Sequence, residues 1–131
     1  MRTILAVTVA ASLLAAAPGY AHHSFAAEFD ADKPVTLVGT VTKIEWTNPH
    51  AWFYIDVMDD SGKVANWGWE LGSPTSLVRL GWSRNALKVG EVVTVEGSRS
   101  RDGSNTANTR SITLNRTGQK LFGASSQGQS Q

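Results

Sequence analysis

Cysteine is missing from all 131 residues of this chain, which removes disulfide staples, thiolate metal ligands and cysteine nucleophiles at one stroke. A domain built this way holds together by burial alone. Long apolar runs are scarce as well. The single one, Ile4 to Ala17, is fourteen residues, short of the roughly 20 that a membrane-crossing helix needs. Also lacking are a Gly-x-Ser-x-Gly elbow, a His-Glu-x-x-His helix and a phosphate loop, so the common hydrolytic and nucleotide-dependent chemistries have no anchor here. Histidine occurs only at His22, His23 and His50.

What is present begins with a leader. Met1-Arg2 supplies a short basic region, Ile4 to Ala17 an apolar one, and Pro18-Gly19 a helix break before Gly19-Tyr20-Ala21. This is the order of a signal peptide over residues 1–21. Small residues at Gly19 and Ala21 suit a signal peptidase, whereas cleavage after Ala17 leaves Pro18 in a position that such enzymes reject. Cleavage between Ala21 and His22, and a periplasmic or secreted mature protein without a membrane span, are the expectation.

Removing Arg2 with the leader leaves eleven Lys and Arg against eleven Asp and Glu. A neutral chain in an exported location is a poor match for nucleic acid, and no such partner is expected. Residues 28–70 carry eight acids and three lysines, and residues 79–120 eight bases and three acids. A folded barrel interleaves such blocks into a mixed surface.

The ordered domain is expected over 33–121, after an N-terminal arm at 22–32 and before a Gly-, Ser- and Gln-rich disordered tail at 122–131. Val35 to Trp46 reads as a strand bent at Gly39, and Thr47-Asn48-Pro49 turns the chain. Alternation in Ala51 to Val57 sets Phe53, Ile55 and Val57 against Trp52, Tyr54 and Asp56. Asp59-Asp60-Ser61-Gly62 signals a hairpin into Lys63 to Leu71, with Ala65, Trp67, Trp69 and Leu71 on one face. Ser73-Pro74 opens a two-turn helix that Gly81 stops, with Leu77 and Leu80 three apart. Glu91 to Gly97 and Thr109 to Leu114 complete five strands. A mostly β chain with one short helix between strands three and four follows the order of an OB-like barrel.

Histidine carries the chemical clue. A new terminus at His22 offers an α-amine with a pKa of about 8 and an imidazole that closes a chelate ring with it. His23 adjoins it, and His50, at the mouth of strand two, is the one distant imidazole, with Trp46 and Asn48 as support. Amine and imidazole nitrogens without thiolate favour Cu(II), Ni(II) or Zn(II), and copper binds tightest of these. A bound copper ion is therefore the cofactor expectation, at His22, His23 and His50. The plain alternative is a terminus left by the peptidase and a His50 that serves the turn.

Five tryptophans, at Trp46, Trp52, Trp67, Trp69 and Trp82, are the second unusual feature. Most belong to the core, but an outward Trp52 and Tyr54 make a platform for a carbohydrate or a protein partner. A structural envelope protein is the third possibility. Asp56 and Glu70 are the one conceivable carboxylate pair, and acids on adjacent strands are more often plain surface residues. No catalytic residue is assigned, and a binding protein is favoured over an enzyme.

His22-His23-Ser24-Phe25, Gly39-Thr40-Val41, Trp46-Thr47-Asn48-Pro49-His50, Trp69-Glu70, Leu80-Gly81-Trp82 and Leu87-Lys88-Val89-Gly90 resemble a group of uncharacterised secreted bacterial proteins, domain of unknown function 6152. The resemblance covers nearly all of the mature chain. It implies an exported bacterial protein, and it brings no activity, substrate or cofactor with it.

Overall fold

A computed structural model describes residues 25–124. A four-residue helix α1 (Phe25–Glu28) leads into a seventeen-residue strand β1 (Phe29–Glu45), followed by β2 (Trp52–Met58) and β3 (Val64–Glu70). Helix α2 (Pro74–Arg79) precedes β4 (Val92–Ser100), β5 (Thr106–Leu114) and a short β6 (Lys120–Phe122).

One long strand organises the barrel because it serves two neighbours in turn. Pro34 to Thr40 of β1 pairs antiparallel with β4, and Thr40 to Glu45 pairs with β2, with a bulge between Val41 and Lys43. A bulge adds twist and bends the strand, so a single ribbon passes from one wall to the next. Gly39 sits at this bend, where a Cβ would lie 2.5 Å from the Asp56 carbonyl oxygen. Only a residue without a side chain allows that approach.

β2 and β3 form the hairpin expected around Asp59 to Gly62, in register from Trp52↔Glu70 to Met58↔Val64. The ring then closes through β3 and β5, which run parallel with Gly68↔Thr106, Trp69↔Ala107 and Glu70↔Asn108 opposed. β5 pairs antiparallel with β4. The cycle β1-β2-β3-β5-β4-β1, with a helix between β3 and β4, is the closed order of an OB-like barrel.

Several boundaries differ from those read in the sequence. β1 starts at Phe29, so Phe29 to Asp32 belong to the sheet and not to an arm; Phe29 opposes Ser100 and is buried. Acids at Asp30 and Asp32 masked this strand, since its outer edge alternates weakly. β5 starts at Thr106, three residues earlier than expected. A sixth strand, β6, pairs with Ser111 to Thr113 where β3 no longer flanks β5, and the Gly72 amide donates to the Gly123 carbonyl at 2.7 Å. Phe122 thus lies in the sheet, outside the expected tail; residues 125–131 lie outside the described residues.

Inside the ring, Val41, Phe53, Ile55, Trp69, Leu71, Leu77, Val93, Val95 and Ile112 make a continuous core. Trp69 stacks on Phe53 at 6.3 Å and meets Trp67 at 6.5 Å. Ser73 caps α2 by accepting from the Ser76 amide at 3.2 Å. Leu77 is buried, but Leu80 is exposed, because the helix ends there and Trp82, whose amide donates to the Leu77 carbonyl, takes the inward place. Val57 is only partly buried, near the hairpin end. The two charge blocks meet where Arg101 stands 3.6 Å from Asp30.

Candidate functional site

The loop Trp46 to Ala51 joins β1 to β2 at one mouth of the barrel, and its Asn48–Pro49 peptide bond is cis. His50 leaves this loop beside the end of β3. Two backbone bonds hold it there: the Ala51 amide donates to the Gly72 carbonyl at 3.0 Å, and the Leu71 amide donates to the Ala51 carbonyl at 2.8 Å. The Thr47 hydroxyl donates to the His50 carbonyl at 3.2 Å.

The imidazole is oriented by what its Nδ1 meets. Nδ1 lies 3.0 Å from the Leu71 carbonyl oxygen and 3.5 Å from Glu70 Oε1. A carbonyl oxygen only accepts, so Nδ1 must carry the hydrogen. In the neutral ring the lone pair is then on Nε2. The His50 side chain is 46% exposed while that of Glu70 is 12% exposed, so the anchored edge faces protein. Metal-bound imidazoles commonly show this arrangement, one nitrogen donating to a carbonyl or carboxylate and the other ligating.

Around the mouth, Trp46 packs on Trp82 with centroids 6.3 Å apart, and the Trp82 indole donates to the Phe122 carbonyl at 3.0 Å. Trp46 therefore supports the loop from behind, through β6. Asn48 is exposed and makes no side-chain hydrogen bond among the described residues. His22 and His23 lie outside the described residues, so of the three predicted ligands His50 alone has a described environment. Among the described residues no three of His, Asp and Glu converge as a metal group.

Trp52 and Tyr54 do face outward, as their alternation predicts, and each is half-buried. They lie over Gly68 of β3, whose absent side chain leaves room: an added Cβ would sit 3.2 Å from Tyr54 and 3.8 Å from Trp52. Tyr54 is not an open platform. Lys43 Nζ stands 5.4 Å from its ring centroid and bridges to Glu45, and the Tyr54 hydroxyl donates to Glu45 at 3.5 Å. Burial, then the Glu45 charge, pushes the tyrosine pKa up, so the hydroxyl stays protonated. Asp56 and Glu70 do not pair; Asp56 opposes Asn66, which donates to it at 2.9 Å, and Glu70 opposes Trp52 at the other end of the hairpin.

Sequence reasoning missed an outward polar row next to His50. Since Trp67 and Trp69 point inward, Gly68 and Glu70 point out, and Glu70 opposes Asn108, which opposes Ser98. All three are buried although they lie on the outside of the barrel. The signal was hidden because Asn108 and Ser98 read as loop and strand-end residues until the parallel β3–β5 pairing is known.

No curated protein matches the chain. Among solved structures, the dimeric N-terminal domain of the PriB protein from Thermoanaerobacter tencongensis is similar, with 26% sequence identity and a TM-score of 0.45, covering 63% of this chain and 96% of that one. The model of a family of unknown function, DUF6152, matches residues 9–110, and the chain belongs to that family.

Proposed function

We propose that this protein is an exported, non-catalytic β-barrel that binds a divalent transition metal, copper first, at the barrel mouth. The ligands are His50 Nε2 and, after cleavage between Ala21 and His22, the new α-amine and imidazole of His22, with His23 beside them. One observation carries the reading: His50 Nδ1 is held by the Leu71 carbonyl with Glu70 alongside, which leaves Nε2 as the free donor. Amine and imidazole nitrogens place Cu(II) ahead of Ni(II) and Zn(II). The alternative, a carbohydrate or peptide platform on Trp52 and Tyr54, is weakened by Lys43 over the tyrosine ring.

The test is titration of Cu(II) and Zn(II), by calorimetry and EPR, into the chain starting at His22 and into the same chain with one alanine added ahead of it. Tight one-to-one binding is expected, weakened at least about tenfold, roughly 1.4 kcal/mol, by the added alanine and likewise by His50→Ala. Equal, weak binding by all three forms would discard the metal site. Mass spectrometry of protein recovered from the periplasm checks the cleavage; an N-terminus other than His22 removes the amine donor.

A further inference from the structure

The outward row Ser98–Asn108–Glu70 is unusual for its polarity and its burial together. Asn108 is 1% exposed, and among the described residues its Oδ1 has no hydrogen-bond partner. A buried amide oxygen without a partner is disfavoured, so such a group is a sign of something that satisfies it. The row runs straight from α1 to His50. At one end, Phe25 and Ser98 line the same open cleft, and α1 is tied to β4 and its following turn: Arg101 Nε donates to the Ala26 carbonyl at 2.7 Å, and the Arg101 amide donates to the Glu28 carbonyl at 2.9 Å. At the other end, Glu70 reaches His50.

We propose that this row is the docking surface for the segment His22–Ser24, which immediately precedes Phe25. The reach fits. Ser98, Asn108 and Glu70 stand on three adjacent strands, so the row spans two strand spacings, about 10 Å. Three extended residues cover about 10 Å as well. A chain leaving Phe25 over Ser98 therefore passes Asn108, whose Oδ1 accepts a backbone amide from it, and ends with the α-ammonium of His22 over Glu70. Charge is complementary there, an ammonium on a carboxylate that is largely shielded from water. This shares with the metal reading only the cleavage after Ala21, and it holds without any metal.

The experiment uses isotope-labelled, copper-free chain starting at His22, studied by NMR beside a chain starting at Phe25. Expected are nuclear Overhauser contacts between the Asn108 side-chain amide protons and His23 or Ser24. In the shorter chain the Asn108 amide resonances should shift and exchange with solvent at least about tenfold faster. Absence of those contacts, with Asn108 resonances and exchange unchanged between the two chains, would overturn the docking. Contacts in a protein that has no copper affinity retire the metal reading alone; tight copper binding without contacts in the copper-free chain retires the docking alone.

Discussion

Individual residues show where this barrel carries polar cost inside it. Thr109 is fully buried and its hydroxyl has no hydrogen-bond partner among the described residues. An unsatisfied buried hydroxyl is disfavoured, and a methyl of similar shape is not. Thr109→Val is therefore expected to stabilise the protein by about 1 kcal/mol, seen as a higher urea midpoint at unchanged slope; a lower midpoint would mean that the hydroxyl is satisfied after all. Trp69 also buries an indole Nε1 without a partner among the described residues, yet its ring stacks on Phe53. There the packing outweighs the polar cost, since a buried tryptophan contributes about 3–5 kcal/mol against truncation to alanine. His50 is the opposite case, because the backbone of Leu71, and not burial, decides which of its nitrogens is free.

At the scale of elements, turns and close approaches set the register. Asp59 Oδ1 accepts from the Ser61 hydroxyl at 2.6 Å, the Ser61 amide at 2.9 Å and the Lys63 amide at 2.9 Å, which locks the β2–β3 turn. These donors, the Ser61 hydroxyl first, hold the carboxyl pKa below its ordinary value of 3.8. A depressed folded pKa contributes stability that is complete above the unfolded value and is lost as pH falls through the lower, folded one. The urea-midpoint gap between the native protein and Asp59→Asn should thus be open near about pH 6 and shrink towards about pH 2. A gap independent of pH would show that the ionised form is not what the turn uses. Where β4 crosses β5, a Cβ on Gly97 would fall 1.8 Å from the Asn108 carbonyl oxygen. Backbone cannot yield to that, and Gly97→Ala should cost roughly 3–5 kcal/mol, measurable by chemical denaturation. A near-neutral effect would mean that the strands are not packed this closely.

For the molecule as a whole, closure through β3 and β5 is the decisive event, and β6 covers β5 past the point where β3 leaves it. Leu121 is buried, the Phe122 carbonyl accepts from the Trp82 indole, and Gly123 donates to the Arg110 carbonyl at 3.0 Å. Ending the chain after Gln119 should remove about 3 kcal/mol or more and bare the β5 edge. Light scattering should then report concentration-dependent association; a truncated protein that stays monomeric with the native urea midpoint would make β6 dispensable. Much of the architecture was legible from residue patterns alone. Alternation in Trp52 to Val57, the Asp59–Gly62 turn, the Ser73-Pro74 cap and Gly39 are local signals, and each led to the element that forms, because side-chain period and turn chemistry act over a few residues. Residues His22-His23 and Trp46 to His50 likewise carried the family resemblance in their order. Strand β6 was not legible because three residues, Lys120 to Phe122, are too short to show a side-chain period; the start of β1 at Phe29 was not legible, since it depends on Ser100, distant in sequence. The same holds for the site. Sequence singled out His50 by scarcity, whereas the parallel pairing of β3 with β5 decided that Glu70 and Asn108 stand in one row beside it, because that register joins residues nearly forty positions apart.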